Sequence, residues 1–66
     1  MINVSKLKGL MAEKGKTGID MARVIGKTPK TFYSKMKAGV FGSDEIDAMV
    51  KDLEIQDPMS VFLPKE

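Results

Sequence analysis

Between Lys27 and Lys37 the chain places four lysines, two threonines, a serine and a tyrosine, and no carboxylate. Ammonium and hydroxyl groups free of competing acids suit anions. Lysines hold phosphates, while Lys, Ser and Thr can hydrogen-bond the polar edges of bases. The residues for most other chemistry are missing. The chain has no histidine and no cysteine, which removes the commonest general base, the commonest metal ligand and any thiolate site. No Gly-rich phosphate loop or paired-carboxylate cleft is visible. Asp44, Glu45 and Asp47 form the densest acidic group, and as acids at the positive end of a helix dipole they need no catalytic explanation. We therefore expect no enzyme, no cofactor, no metal and no small-molecule substrate.

The formal net charge of +2 hides an asymmetry. Residues 1–42 carry nine Lys/Arg against Glu13 and Asp20, a balance of +7. Residues 43–66 carry Lys51 and Lys65 against seven acids, a balance of −5. One face built for a polyanion, with acids turned away from it, fits this division. An unevenly charged but merely solvated surface fits it too. With 66 residues the chain is expected to be one domain with modest burial. No apolar run approaches the roughly 20 residues of a membrane span, and no apolar segment of signal-peptide type follows the first residues. These features predict a soluble, cytoplasmic protein without a membrane partner.

Stop and start signals divide the chain into short helices. Asn3 can cap a first helix from Val4 to Lys14, with Val4, Leu7, Leu10 and Met11 on one face and Gly15 at its end. Gly9 inside it costs about 1 kcal/mol relative to Ala, which suggests close packing against a neighbour. Thr17 and Asp20 form a capping-box pair for a second helix from Gly18 to Ile25, closed by Gly26. Thr28 and Pro29 are the clearest start signal in the chain. They open a third helix that runs to Ala38 and stops at Gly39. Ser43 can cap a fourth helix from Asp44 to Leu53, whose stripe is Ile46, Met49, Val50 and Leu53. Asp57-Pro58 repeats the cap-then-proline signal before Met59, Val61, Phe62 and Leu63. That segment reads equally as a last helical turn or an extended strand, with Pro64 as its stop. The fold class is all-α.

The link between the second and third helices is only Gly26-Lys27-Thr28. So short a link makes the two helices cross steeply, as in a helix-turn-helix unit, and Ala22 permits the close approach. Projected at about 100° per residue, the third helix buries Phe32 and Met36. It turns Lys30, Thr31, Ser34 and Lys37 outward, with Tyr33 and Lys35 on the flanks. Tyr33 suits either stacking or phosphate contact, or a half-exposed structural role. A helix of ten residues is about 15 Å long and fits the major groove of B-DNA.

The stretch TGIDMARVIGKTPKTFYSKMKAG, residues 17–39, resembles the helix-turn-helix core of the Cro/repressor-type (XRE-like) regulators of phages and prophages. The matching features are Met21-Ala22, Ile25-Gly26, Thr28, Phe32, Lys35-Met36 and Gly39. The later residues Phe41, Glu45-Ile46, Leu53 and Val61-Phe62-Leu63 are similar to small phage repressors as well. The resemblance implies a four- or five-helix lambda-repressor-like domain that binds double-stranded operator DNA in a bacterial host, often as a homodimer. It places base contacts at Thr28, Pro29, Lys30, Tyr33 and Ser34, and phosphate contacts at Thr17, Gly18 and Lys37. Thr31 joins the base-reading set by projection, and Lys27 and Lys35 join the phosphate set as flanking cations. The family often has Gln or Ser at the second residue of the second helix, where this chain has Ile19. Residues 57–66 are expected either to close the core or to make a dimer contact. The competing function is a protein-interaction module, an antirepressor or adaptor, on the same fold. Lys6, Lys8 and Lys14 read as ordinary surface charges.

Overall fold

The computed structural model of the protein describes residues 2–62. Five helices follow one another: α1 (Val4–Glu13), α2 (Gly18–Ile25), α3 (Pro29–Ala38), α4 (Ser43–Leu53) and α5 (Pro58–Phe62). No strand occurs among the described residues. The chain is all-α.

Helices α1 to α4 start where a side chain can satisfy orphan donors. Asn3 Oδ1 accepts from the Lys6 amide at 3.1 Å and caps α1. Thr17 and Asp20 close a full capping box on α2: Asp20 N donates to Thr17 Oγ1 at 3.2 Å, and Thr17 N donates to Asp20 Oδ2 at 2.9 Å. Thr28 Oγ1 accepts from Thr31 N at 3.2 Å to cap α3, with Pro29 in the first turn. Two helices stop on glycine in the left-handed region, Gly26 (φ 72°) after α2 and Gly39 (φ 74°) after α3. A Cβ is disfavoured there.

The structure corrects three expectations of detail. First, α1 ends at Glu13, with Lys14 as its C-cap. Second, Ser43 is the first residue of α4 and does not cap it. Gly42 holds the cap position, and the Glu45 carboxylate reaches back to accept from its amide at 2.8 Å. Glycine has no side chain to cap with, so the first-turn carboxylate does that work alone. Third, Gly9 is exposed, and a Cβ built there meets nothing within 4 Å. No close packing explains it.

The core joins all five helices. Leu7, Met21, Phe32, Met49, Leu53 and Val61 are fully buried. Met11, Ala22, Met36, Phe41 and Phe62 complete it together with Ile2. Phe32 packs on Phe41 with ring centroids 5.6 Å apart. Four methionines, Met11, Met21, Met36 and Met49, are core, and for Met11, Met36 and Met49 helical spacing predicts it. The C-terminal segment is helical as far as Phe62, and Val61 and Phe62 close the core. Leu63, Pro64 and the rest of the 57–66 tail lie outside the described residues. The N-terminal residues are tied to the end of α3 and to α5: Ile2 N donates to Gly39 O at 3.0 Å and Asn3 N to Val61 O at 2.6 Å.

Gly9 generates a direct test. Gly9→Ala removes backbone entropy from the unfolded chain and creates no clash, so it should stabilise the fold by about 0.5–1 kcal/mol. In a domain of this size that raises the thermal midpoint by about 2–8 °C, read by circular dichroism. A lower midpoint would mean that Gly9 serves a purpose its open surroundings do not reveal.

Candidate nucleic-acid interface

Helix α3 is half core and half surface. Phe32 and Met36 lock its inner side into the core, so its outer side has a defined direction. Lys30, Tyr33, Ser34 and Lys37 are exposed and lie at i, i+3, i+4 and i+7, a single contiguous helical face. Thr28 and Pro29 are exposed at its start. No carboxylate interrupts this surface. Thr31 is half-buried, and its hydroxyl accepts from Thr28 Oγ1 at 3.0 Å. The two threonines thus form a local cap first.

Tyr33 is anchored on two sides. It meets Phe32 edge-on at 5.7 Å and 73°. Its phenol ring also occupies the space where a Cβ of residue 18 would stand. Gly18, buried at the start of α2, therefore creates the seat of the tyrosine, while half of the ring stays exposed (52%). This close approach joins the first turn of α2 to the outer face of α3. The first-turn amides of α2 have no intrahelical acceptor. The side chains beside them are already engaged: Thr17 Oγ1 donates to Asp20 Oδ2 at 3.1 Å while accepting from the Asp20 amide. The Asp20 carboxyl lies below its ordinary value, chiefly because the Thr17 backbone N–H and then its hydroxyl donate to it.

Electrostatics sort the lysines. Lys14 pairs with Glu54 at 2.9 Å, Lys16 faces Asp52 at 3.5 Å, and Lys35 pairs with Glu45 at 3.3 Å. The acids of α4 and its C-cap hence neutralise three cations of the basic half. Lys35, grouped with the phosphate candidates by its position, is turned toward α4 instead. Glu45 is almost wholly buried, and the fold gives it two donors, the Gly42 amide and the Lys35 ammonium. Burial opposes its ionisation, but those two donors, helped by the charges of Lys35 and Lys27, outweigh it and hold the carboxyl below its ordinary value. Lys27 is exposed and lines a shallow cleft beside the start of α4. Lys8, Lys27, Lys30 and Lys37 form no ion pair with any described residue.

Lys37 and Tyr33 also line a small dimple of about 190 Å³ with Met36, and with Val4 and Lys8 of α1. Lys8 has no motif around it in the chain. Only the packing of α1 beside α3 brings it here.

This surface can present ammonium and hydroxyl groups to an anionic, hydrogen-bonding partner from one rigid helix. No helix among the described residues is long and apolar enough to cross a membrane. No group of three or more His, Cys, Asp or Glu among those residues could hold a metal ion. No family model matches the chain, and no curated protein or solved structure matches it either.

Two outcomes follow from this geometry. Tyr33 is the one tyrosine and there is no tryptophan, so intrinsic emission reports on it alone. Gly18→Ala should displace the ring and change its emission and quenching by iodide. Because an exposed side chain can rotate away, helix content should stay unchanged. Unaltered emission would mean that the Gly18–Tyr33 contact does not exist in solution. For Glu45, a folded-state value below the ordinary 4.5 means stability that is present above that pH and lost as pH falls through the lower folded value. The thermal midpoint should hold steady above about pH 5 and fall below it. Asp20 and Glu54 are also lowered and act with the same sign, so Glu45→Gln should flatten part of the fall. At neutral pH, Glu45→Ala should cost about 1–2 kcal/mol by leaving the Gly42 amide and Lys35 unpartnered. An acid limb identical in wild type and Glu45→Gln would remove Glu45 from this account.

Proposed function

We propose that the chain is a sequence-specific DNA-binding transcriptional regulator, a Cro-like repressor of phage or prophage type. In this reading residues 17–39 act as a helix-turn-helix unit, and α3 enters the major groove of operator DNA. Lys30, Tyr33 and Ser34, with Thr28, Pro29 and Thr31 at the helix start, meet base edges. Thr17, Gly18, Lys27 and Lys37 meet phosphates. Lys35 reaches a phosphate only by giving up Glu45. Repression follows from occupying the operator and excluding polymerase. Two copies on one operator would set their α3 helices about 34 Å apart, one turn of B-DNA.

The observation that carries the reading is the outer face of α3, which carries no carboxylate of its own and whose Lys30 and Lys37 pair with no acid among the described residues, while acids of α4 and its C-cap pair with Lys14, Lys16 and Lys35. A phosphate backbone rewards such unpaired cations by counterion release. Hydroxyl and ammonium groups along a 15 Å helix supply hydrogen bonds to base edges.

The test is selection from a random duplex library at near-physiological salt. We expect enrichment of a short site, two-fold symmetric if the chain acts as a dimer. Affinity should fall steeply with salt, and Lys30→Ala should cost about 1–3 kcal/mol on the selected site. Failure to enrich any sequence, with only weak salt-sensitive association, would overturn specific regulation. That result would favour a protein-interaction module, an antirepressor or adaptor, on this fold.

A further inference from the structure

We infer that Lys8, on α1 and outside residues 17–39, is a further phosphate-binding residue that works with Lys37. Together they take one backbone phosphodiester of duplex DNA beside the groove that α3 enters. The inference rests on the DNA-binding reading and extends it to a helix that carries no part of the helix-turn-helix unit.

The geometry is specific. Val4 and Lys8 lie one turn apart on α1, and Tyr33, Met36 and Lys37 lie within one turn on α3. These two short faces meet around the dimple of about 190 Å³. Val4 and Met36 give it apolar walls, and Lys8 of α1 and Lys37 of α3 border it. No carboxylate lines it, and neither lysine pairs with an acid among the described residues. Two exposed cations that border one dimple from different helices can both reach an anion placed over it. The dimple shares Tyr33 and Lys37 with the exposed α3 face. A duplex whose groove receives that face runs its sugar–phosphate edge along this flank. Lysine suits the task because it acts as a flexible point charge and needs no fixed geometry.

A matched control is available on the same helix. Lys6 lines a separate groove with the α4–α5 connection, away from the α3 face, so Lys6→Gln removes the same charge in a different place. Both positions are exposed, and both variants should fold, as circular dichroism will show. Binding of wild type, Lys8→Gln, Lys6→Gln and Lys30→Ala to the selected duplex is measured over a range of salt concentrations. Lys8→Gln should lower affinity about five-fold and reduce the salt slope by a part of the roughly 0.9 that one phosphate contributes, because Lys37 stays on the same phosphodiester. Lys6→Gln should leave both nearly unchanged. Equal effects of the two glutamine variants would mean a diffuse charge effect and overturn the assignment. So would an unchanged Lys8→Gln beside a weakened Lys30→Ala, which leaves the DNA-binding reading intact. Absence of duplex binding by the wild-type chain would overturn both.

Discussion

The three residues between α2 and α3 constrain most of what lies around them. Gly26 turns the backbone through the left-handed region at φ 72°, and Thr28 with Pro29 restarts a helix at once. Two helices joined so tightly can bury their facing sides only if one of them is thin at the crossing. Ala22, 1% exposed, is the small residue that α2 gives to the core. With α2 fixed, Phe32 and Met36 enter the core, and the opposite face of α3 is held outward. The direction of Lys30, Ser34 and Lys37 is thus a consequence of packing, not of the exposed residues themselves.

Helix α4 then divides the charges. It packs on α2, and its acids reach cations from three other parts of the chain. Glu45 has the largest role, because it satisfies the Gly42 amide at its own helix start and holds Lys35 of α3 at the same time. A buried carboxylate with two donors is tolerated where an unpaired one would not be. Lys14 and Lys16 meet Glu54 and Asp52 on a more exposed edge, where such pairs add little stability. Their effect is on the surface field: these acids lie on this edge, and among the described residues no acid pairs with the lysines of the outer α3 face or with Lys8.

Tyr33 shows how closely stability and the candidate interface are coupled. Its ring leans on Phe32 and over Gly18. An aromatic half exposed beside unpaired lysines is thereby held in one place, which lowers the ordering cost of any contact it makes. The proposed regulator would present a prearranged surface rather than one shaped by its partner.

The helices themselves were legible from the chain. Asn3, the Thr17–Asp20 pair, Thr28-Pro29 and the glycines at 26 and 39 act within one turn of backbone, so residue order suffices to locate them. The burial of Phe32, Met36 and the inner methionines followed from helical spacing for the same reason. Other features depended on neighbours far away in sequence. Gly9 was expected to be packed and stands open, while Gly18 has its reason in a tyrosine 15 positions later. Lys35, a phosphate candidate by its position on α3, pairs with Glu45 ten residues later. Lys8 looked like ordinary surface and lies beside Lys37. Short-range hydrogen bonds and backbone preferences determined where helices begin and end. Which lysines stay free was decided only in three dimensions, because an ion pair depends on distance through space and local pattern carries no record of it.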